Sequence, residues 1–381
     1  MDFTNAQTVA LWGFLVALVY GVIASKTEFC TRTAIRDWIY MDDKNMLRSW
    51  MLAIGIAIIG TQLLAAQASI DLKQSIYLTA NFGWLGHLVG GLLFGVGMML
   101  AGGCGQRVLV RFGNGNLRSL IVIVVFGLTA YMTLNGISAL LRINAVEVTN
   151  VNLSAHGVSN QSIVAILMAV TGLENESLLR GIVAAAIGIG LVAYAFIDRR
   201  FRRSADNVLS GVSVGLLVVA AWYITGVVGR DEFEPVRVES FTFVAPMAAN
   251  LQYMMTWTES SINFGIAVVF GVIAGSLLHA VVSGKFAIEA FESKNDMLEH
   301  IVGAVLTGFG GVLALGCTIG QGITGVSTLA LGSFITLGAV IFGSVMTVKI
   351  KLYMQEKQRF LTALRSSLSD MKLWPPADDA A

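Results

Sequence analysis

Nine stretches of this 381-residue chain are apolar over enough residues to cross a lipid bilayer. A transmembrane helix needs about 20 mostly apolar residues in a row, and a lipid core leaves helices as the usual way for such segments to cross. The sequence therefore predicts an all-α integral membrane protein with about nine transmembrane helices. The predicted spans are 8–25, 46–68, 83–102, 117–141, 178–197, 207–228, 262–282, 298–315 and 332–352.

The composition agrees with a membrane protein. Hydrophobic residues make up 55% of the chain and charged residues 13%, whereas about one quarter of an ordinary soluble domain is charged. We therefore predict that membrane lipid surrounds the protein. The net charge of +1 and the lack of a basic patch interleaved with aromatics argue against a nucleic-acid partner. Three scattered cysteines are too few for a disulfide framework or a zinc site, so no metal or cofactor is predicted.

Two further apolar segments are too short to cross alone. They are 161–172 and 243–257, and their length is typical of interfacial or re-entrant helices.

An internal duplication divides the chain. The stretch HLVGGLLFGVGMMLAGGC, from His87 to Cys104, returns 213 residues later as HIVGAVLTGFGGVLALGC, from His300 to Cys317. The histidine, the cysteine and four glycines coincide at this offset. We therefore predict one transmembrane transporter domain, 1–381, with a first repeat at about 8–141, a second at about 207–352 and a cytoplasmic tail at 353–381.

The distribution of lysine and arginine predicts the orientation of the spans. Basic residues follow the fifth and ninth spans and also lie in the loops after the first and third, so these regions should be cytoplasmic, with the N-terminus outside and the C-terminus inside. The two copies of the repeat then point in opposite directions, which is the inverted repeat of secondary transporters. These basic residues are Lys26, Arg32, Arg36, Arg107, Arg111, Arg118, Arg199, Arg200, Arg202, Arg203, Lys349, Lys351, Lys357, Arg359, Arg365 and Lys372.

Glycines and glutamines surround the duplicated cysteines, as AGGCGQ at Cys104 and LGCTIGQG at Cys317. Glycines at a helix end allow a break whose free backbone N–H groups bind anions. The candidate anion ligands are Gly102, Gly103, Gly105, Gly316 and Gly320. Gln106 and Gln321 either donate an amide hydrogen to an oxyanion or make hydrogen bonds that only stabilise the fold. By contrast, small-residue spacing predicts that Gly90, Gly95, Gly303 and Gly308 pack helices together.

The third cysteine, Cys30, follows the first span in SKTEFCTRTAIRDW. A weaker similarity relates VYGVIASKTEFCTRTAI, which begins at Val19, to VFGVIAGSLLHAVVSGKFAI, which begins at Val269 and has only Ser283 near the equivalent place. A lone buried thiol is often a simple apolar residue, so the pattern leaves both interpretations of Cys30 open. His87 and His300 also leave two interpretations open, a proton relay or local hydrogen bonds near a membrane face.

The segments FCTRTAIRDW, LAGGCGQ and LGCTIGQG resemble the three cysteine motifs of the YeeE/YedE family of bacterial inner-membrane proteins, whose characterised members take up thiosulfate. This resemblance covers almost the whole chain and implies a transporter rather than an enzyme. It also implies that Cys30, Cys104 and Cys317 line a central path, and we add Arg32, beside Cys30, as a substrate-binding candidate.

Thiols suit the passage of a sulfur anion. A protonated thiol is a weak donor that neither repels nor traps an anion with a soft terminal sulfur, so the expected mechanism is a relay of weak S–H contacts. Two alternatives remain, transport of another small sulfur or selenium species and a membrane-embedded sulfurtransferase. The second would need an activated thiolate, for which the sequence shows no adjacent histidine or Cys-x-x-Cys. Docking of a cytoplasmic sulfur-carrier protein is left open.

Overall fold

The computed structural model of the protein describes residues 4–173, 175–231, 234–356 and 360–371. Lys357, Arg359, Lys372 and the end of the predicted tail, 372–381, lie outside the described residues.

The chain is helical almost throughout. The α-helices are α1 (Asn5–Thr27), α2 (Thr31–Met41), α3 (Asn45–Ala66), α4 (Gly91–Leu100), α5 (Gly105–Gly113), α6 (Leu117–Asn135), α7 (Ala139–Leu141), α8 (Ile163–Thr171), α9 (Glu176–Ile197), α10 (Arg199–Arg203), α11 (Ala205–Tyr223), α12 (Val244–Met255), α13 (Phe264–Val282), α14 (Lys294–Leu313), α15 (Leu331–Gln355) and α16 (Phe360–Asp370). Turns of π-helix occur at Gly86–Gly90, Arg142–Val146, Ile224–Val228 and Gly320–Gly325, and 3-10 turns at Leu72–Gln74, Ile76–Leu78, Glu147–Thr149 and Leu153–His156. The strands β1 (Asn81–Phe82) and β2 (Val151–Asn152) pair antiparallel, with Asn81 opposite Asn152.

The predicted membrane class is confirmed. Within the described ranges, nine helical segments are long and apolar enough to cross a bilayer. Their order and positions match the nine predicted spans, although the fourth ends at Asn135, where Gly136 leaves the helix. The short segments 161–172 and 243–257 form α8 and α12, neither of which is long enough to cross.

The two duplicated helices, α4 and α14, pack tightly against each other and run antiparallel. A Cβ atom placed on Gly303 would lie 2.3 Å from the Ala101 nitrogen, and one on Gly90 would lie 2.7 Å from the Gly310 carbonyl oxygen. A Cβ atom placed on Gly97 would likewise lie 2.8 Å from the Gly303 carbonyl oxygen. Since no side chain fits between these backbones, the glycines set the distance between the two helices.

Two other glycines of the repeat make reciprocal contacts with the next span of the opposite half. On α4, a Cβ on Gly95 would lie 2.4 Å from the Val340 carbonyl oxygen of α15, and on α14, one on Gly308 would lie 2.7 Å from the Phe126 carbonyl oxygen of α6. Each duplicated helix is therefore packed into the half of the protein that contains the other. The repeat bounds 8–141 and 207–352 stay predictions.

The segments beginning at Val19 and Val269, which share the weaker similarity, lie on α1 and α13 and pack against each other. A Cβ on Gly271 would lie 2.5 Å from the Phe14 carbonyl oxygen and one on Gly275 2.0 Å from that of Leu18, so α1 and α13 pack parallel. Counterparts in an inverted repeat run in opposite directions. At the offset of 213 residues, α2 instead falls on α12, and the counterpart of Cys30 is Phe243 rather than a residue near Ser283.

Candidate functional site

Cys104 lies at a break where the chain turns back into the membrane. After α4 the backbone turns at Gly102, whose φ of +82° is in the region that favours glycine, and Cys104 then precedes the first residue of α5. Gly105 lies beside Phe126, midway along α6, whereas Gly113 lies beside Ser276 near the end of α13. The N-terminus of α5 therefore faces the middle of the bundle, and no side chain among the described residues caps it.

Cys317 lies at a matching break on the opposite side. Leu315, with φ of +58°, takes the left-handed conformation that Gly102 takes in the first copy. Residues 318–327 are helical, and the backbone N–H of Gly320 donates to Cys317 Sγ at 3.3 Å. Two helix N-termini, with their partial positive charge, thus approach the centre from opposite sides.

The structure brings all three cysteines together at this centre. Cys104 and Cys317 are fully buried, Cys30 is 1% exposed, and all three are free thiols. Cys30 precedes α2, and its thiol lies beside that of Cys104. Cys317 is close enough to Cys104 to act on it electrostatically. The cluster includes the one cysteine for which the duplication offered no support.

The two glutamines brace the breaks from within. Gln106 Nε2 donates to the Phe29 carbonyl oxygen at 3.2 Å, and Gln321 Nε2 donates to that of Ala314 at 2.5 Å. Gln321 Oε1 in turn accepts from Ser333 Oγ at 2.6 Å. One amide donor of Gln321 thus fixes the backbone of its own break, and one of Gln106 ties the first break to the α1–α2 link that contains Cys30.

The candidate glycines next to the cysteines share a lack of room for a side chain. A Cβ atom added to any of them would lie 2.5–3.2 Å from its closest neighbour, which is Arg107 Cβ for Gly103, Phe126 Cε1 for Gly105, Gln321 Cγ for Gly316 and Thr242 Oγ1 for Gly320. Substituting any of them would displace the walls of the break, so they serve close packing as well as exposing backbone N–H groups.

Three hydroxyl groups at this centre have no signal in the sequence patterns. The Tyr20 side chain is fully buried and lies within electrostatic reach of all three cysteines, and its hydroxyl has no hydrogen-bond partner among the described residues. The hydroxyl of Thr31, which follows Cys30, is also buried without a partner there, whereas that of Thr318, which follows Cys317, lies within reach of the Cys104 thiol. A buried polar group without a partner is costly, so the Tyr20 and Thr31 hydroxyls are available to a bound molecule.

Arg32 lies on the predicted cytoplasmic side of the cysteines. Its Nη1 donates to the Gly102 carbonyl oxygen at 3.4 Å, and Nη1 of Arg111 donates to the same oxygen at 3.2 Å. Nearby, Arg107 pairs with Glu28 at 3.5 Å. In the sequence Arg107 and Arg111 serve only as signals of topology, but the fold places them at the break.

On the other side of Cys317 lie Tyr77 and Glu239. Burial raises the pKa of the Tyr77 hydroxyl, so Tyr77 stays neutral. Burial also raises the pKa of Glu239 to about 7, and Arg237 only partly offsets this effect. The negative charge of Glu239 is therefore incomplete at neutral pH.

Only one of the two duplicated histidines makes a local hydrogen bond. His300 Nδ1 lies 2.8 Å from the carbonyl oxygen of Asp296, one turn earlier on α14. His87 Nδ1 instead lies 2.8 Å from Thr336 Oγ1 of α15, and its Nε2 is buried without a partner among the described residues.

Comparisons with known proteins agree with this architecture. A family model described as sulphur transport matches residues 26–346, a range that includes all three cysteines. Over 371 residues the chain is 26% identical to "Thiosulfate transporter TsuA" of Escherichia coli (strain K12), covering 93% of this chain and 99% of that protein. It is also 26% identical over 339 residues to "Thiosulfate transporter TsuA" of Spirochaeta thermophila, covering 88% and 97% of the two chains.

Proposed function

Because the chain belongs to the sulphur transport family, as its resemblance to the YeeE/YedE proteins predicted, we propose that this multi-pass membrane transporter takes up thiosulfate. The observation that carries the proposal is the meeting of three buried thiols with two helix N-termini at the centre of the bundle. The names of the two relatives support thiosulfate as the substrate.

The site combines attraction with weak binding. Backbone N–H groups at the two breaks offset part of the cost of removing a dianion from water. The thiols of Cys317, Cys104 and Cys30 then give successive S–H contacts that are too weak to hold the anion in place. The Tyr20 hydroxyl, which lies near all three thiols, is a stronger donor to the oxyanion oxygens than the thiols are.

The test of the proposal is uptake of radiolabelled thiosulfate into lipid vesicles that contain the purified protein, with sulfate and selenite as competitors. We expect saturable uptake that unlabelled thiosulfate suppresses. Stronger suppression by selenite than by unlabelled thiosulfate would indicate a selenium substrate, and a persulfide trapped on a cysteine during turnover would indicate a sulfurtransferase.

We further propose that the protein lies in a bacterial inner membrane with its N-terminus outside and its C-terminus in the cytoplasm. Thr4 precedes α1 and is exposed, and Asn295 is exposed near the start of α14. In intact cells an impermeant maleimide should label Thr4→Cys but not Asn295→Cys, and opening the membrane should make both reactive. Labelling of Asn295→Cys alone in intact cells would show that the protein has the opposite orientation.

Tyr20→Phe is expected to separate transport from stability. The substitution removes a buried hydroxyl that has no partner within the described part of the chain, so the thermal stability of the purified protein should stay the same or rise. Uptake of thiosulfate should nevertheless fall about tenfold, because one hydrogen bond to a charged ligand is lost. The matched control is Tyr131→Phe on α6, where the side chain is half-buried. Equal uptake by the two variants would contradict a role for Tyr20.

A further inference from the structure

Three arginines lie around Gly102 and Gly103, the two residues of the break that precede Cys104. Arg32 and Arg111 both donate to the Gly102 carbonyl oxygen, so their guanidinium groups are neighbours. The Arg107 side chain lies against Gly103, with its Cβ 2.9 Å from the position of a Cβ on that glycine. Three positive charges therefore surround two consecutive residues of the loop that leads to Cys104.

These charges are only loosely compensated. Arg107 pairs with Glu28 at 3.5 Å and Arg111 with Glu289 at 3.9 Å, and the two carboxylate side chains are 68% and 52% exposed. Exposed pairs of this kind contribute little. Nε of Arg32 is buried and has no hydrogen-bond partner in the described part of the chain. The cluster thus keeps donor capacity for an anion.

The cluster exists on one side of the membrane only. At the offset of 213 residues, the counterparts of Arg32, Arg107 and Arg111 are Ala245, Gly320 and Thr324. The two breaks share one glycine position (Gly103 and Gly316), the cysteine and a left-handed turn, but the three arginines have no basic counterpart in the second copy. The cation near the second break is Arg237, which lies beside Glu239. Structural bracing of the loop does not need this charge, because the second copy forms its turn at Leu315 without it.

We propose that Arg32, Arg107 and Arg111 form a binding site for a small divalent oxyanion at the inner mouth of the protein, where thiosulfate leaving the cysteines is held before release. This inference rests on the proposed function for the identity of the anion, but the site itself requires only its charge and tetrahedral shape. Guanidinium groups match such oxyanions through paired N–H donors. The Gly102 backbone forms the floor, and His300 Nε2, 3.0 Å from a Cβ position on Gly102, closes one side.

An inner site has a consequence for rate. Thiosulfate that accumulates in the cytoplasm would occupy the same three arginines and block the exit, so uptake would slow as the internal concentration rises. The break at Cys317, which lacks these three arginines, would show no matching effect. The arginines thus make the protein sensitive to the anion on one side.

Arginine modification of the purified wild-type protein tests the site directly. Phenylglyoxal reacts with accessible guanidinium groups, and mass spectrometry of peptides gives the rate at each arginine. Thiosulfate and sulfate should each slow modification of Arg32, Arg107 and Arg111 several-fold, while gluconate at equal ionic strength should not. Arg36, one turn further along α2 and paired with Asp37 at 2.8 Å, is the reference and should be unaffected. The proposed site would be refuted if the dianions left the modification rate of the three arginines unchanged, or if they protected Arg36 equally.

A transport measurement tests its consequence. Right-side-out membrane vesicles are loaded with unlabelled thiosulfate, and the internal concentration that halves the initial rate of labelled uptake is measured. For Arg111→Gln this concentration should be about tenfold higher than for the unsubstituted protein, because a charged donor is lost, whereas Arg36→Gln should match the unsubstituted protein. If the unsubstituted protein, Arg111→Gln and Arg36→Gln all gave the same half-inhibiting concentration, the arginines would not bind thiosulfate on its way out of the protein. Protection by sulfate in a protein that shows no thiosulfate uptake would refute the proposed function and leave the anion site standing.

Discussion

Uptake of thiosulfate is expected to fall about ten- to a hundredfold when either Cys104 or Cys317 is replaced by alanine. Both side chains are fully buried at the two helix breaks. Removal of a thiol there leaves the anion without one donor at a buried site, and a loss of roughly 1–3 kcal/mol at the barrier corresponds to this change in rate. Cys30→Ala should also reduce uptake.

The chemistry of the replacement refines this expectation. Serine keeps a donor of similar shape but exchanges soft sulfur for a harder hydroxyl, so it should impair uptake by an equal or smaller factor than alanine does. Aspartate should abolish uptake, because a fixed negative charge opposes a dianion in a medium of low dielectric constant.

A matched control is Ser210→Ala. It removes a fully buried donor of similar size that bonds to Ser49 Oγ at 2.7 Å, between α3 and α11. This variant should transport normally if its abundance is corrected for. Near-normal uptake by a Cys104→Ala, Cys317→Ala double variant of normal abundance would refute the relay and leave backbone donors and positive charges to conduct the anion.

Gly303→Ala is expected to prevent the two duplicated helices from meeting. The added Cβ would lie 2.3 Å from the Ala101 nitrogen and 2.8 Å from the Gly97 carbonyl oxygen, and backbone atoms of α4 cannot rotate away as a side chain can. Overpacking of this kind should cost about 2 kcal/mol or more of stability. The measurements are the thermal unfolding midpoint in detergent and the yield of folded protein, and both should fall sharply.

The control is Gly338→Ala on α15, which we expect to raise the stability of the protein rather than lower it. No atom of the described residues lies within 4 Å of a Cβ at Gly338, so alanine there should stabilise the helix by up to about 1 kcal/mol relative to glycine. If Gly303→Ala and Gly338→Ala gave the same change in the unfolding midpoint, the close α4–α14 contact would not be what holds the two halves together.

The length of the apolar stretches was enough to predict the helices, and the glycines beside the duplicated cysteines were enough to predict the breaks. Long apolar segments have few structures open to them in lipid, which is why α3, α9 and α13 begin and end close to their predicted bounds. The glycines that precede Cys104 and Cys317 predicted helix ends for a similar reason, since a turn such as that at Gly102 requires a left-handed residue.

The contents of the site were harder to predict. Tyr20 lies within an apolar span, where a tyrosine gives no sign of whether its hydroxyl faces lipid, core or substrate. Arg107 and Arg111 were interpreted as topology signals, because basic residues after a span usually have that role; only the return of α5 into the bundle places them at the break.

The reciprocal packing of α4 and α14 has a consequence for synthesis. The glycine faces of α4 contact α14 and α15, which leave the ribosome more than half a chain later. Until then α4 waits in the lipid with its small-residue surface open, and the first half of the polypeptide is an incomplete folding unit. A premature stop before α14 would therefore leave not a half-sized transporter but an unassembled set of helices, which is a substrate for membrane quality control.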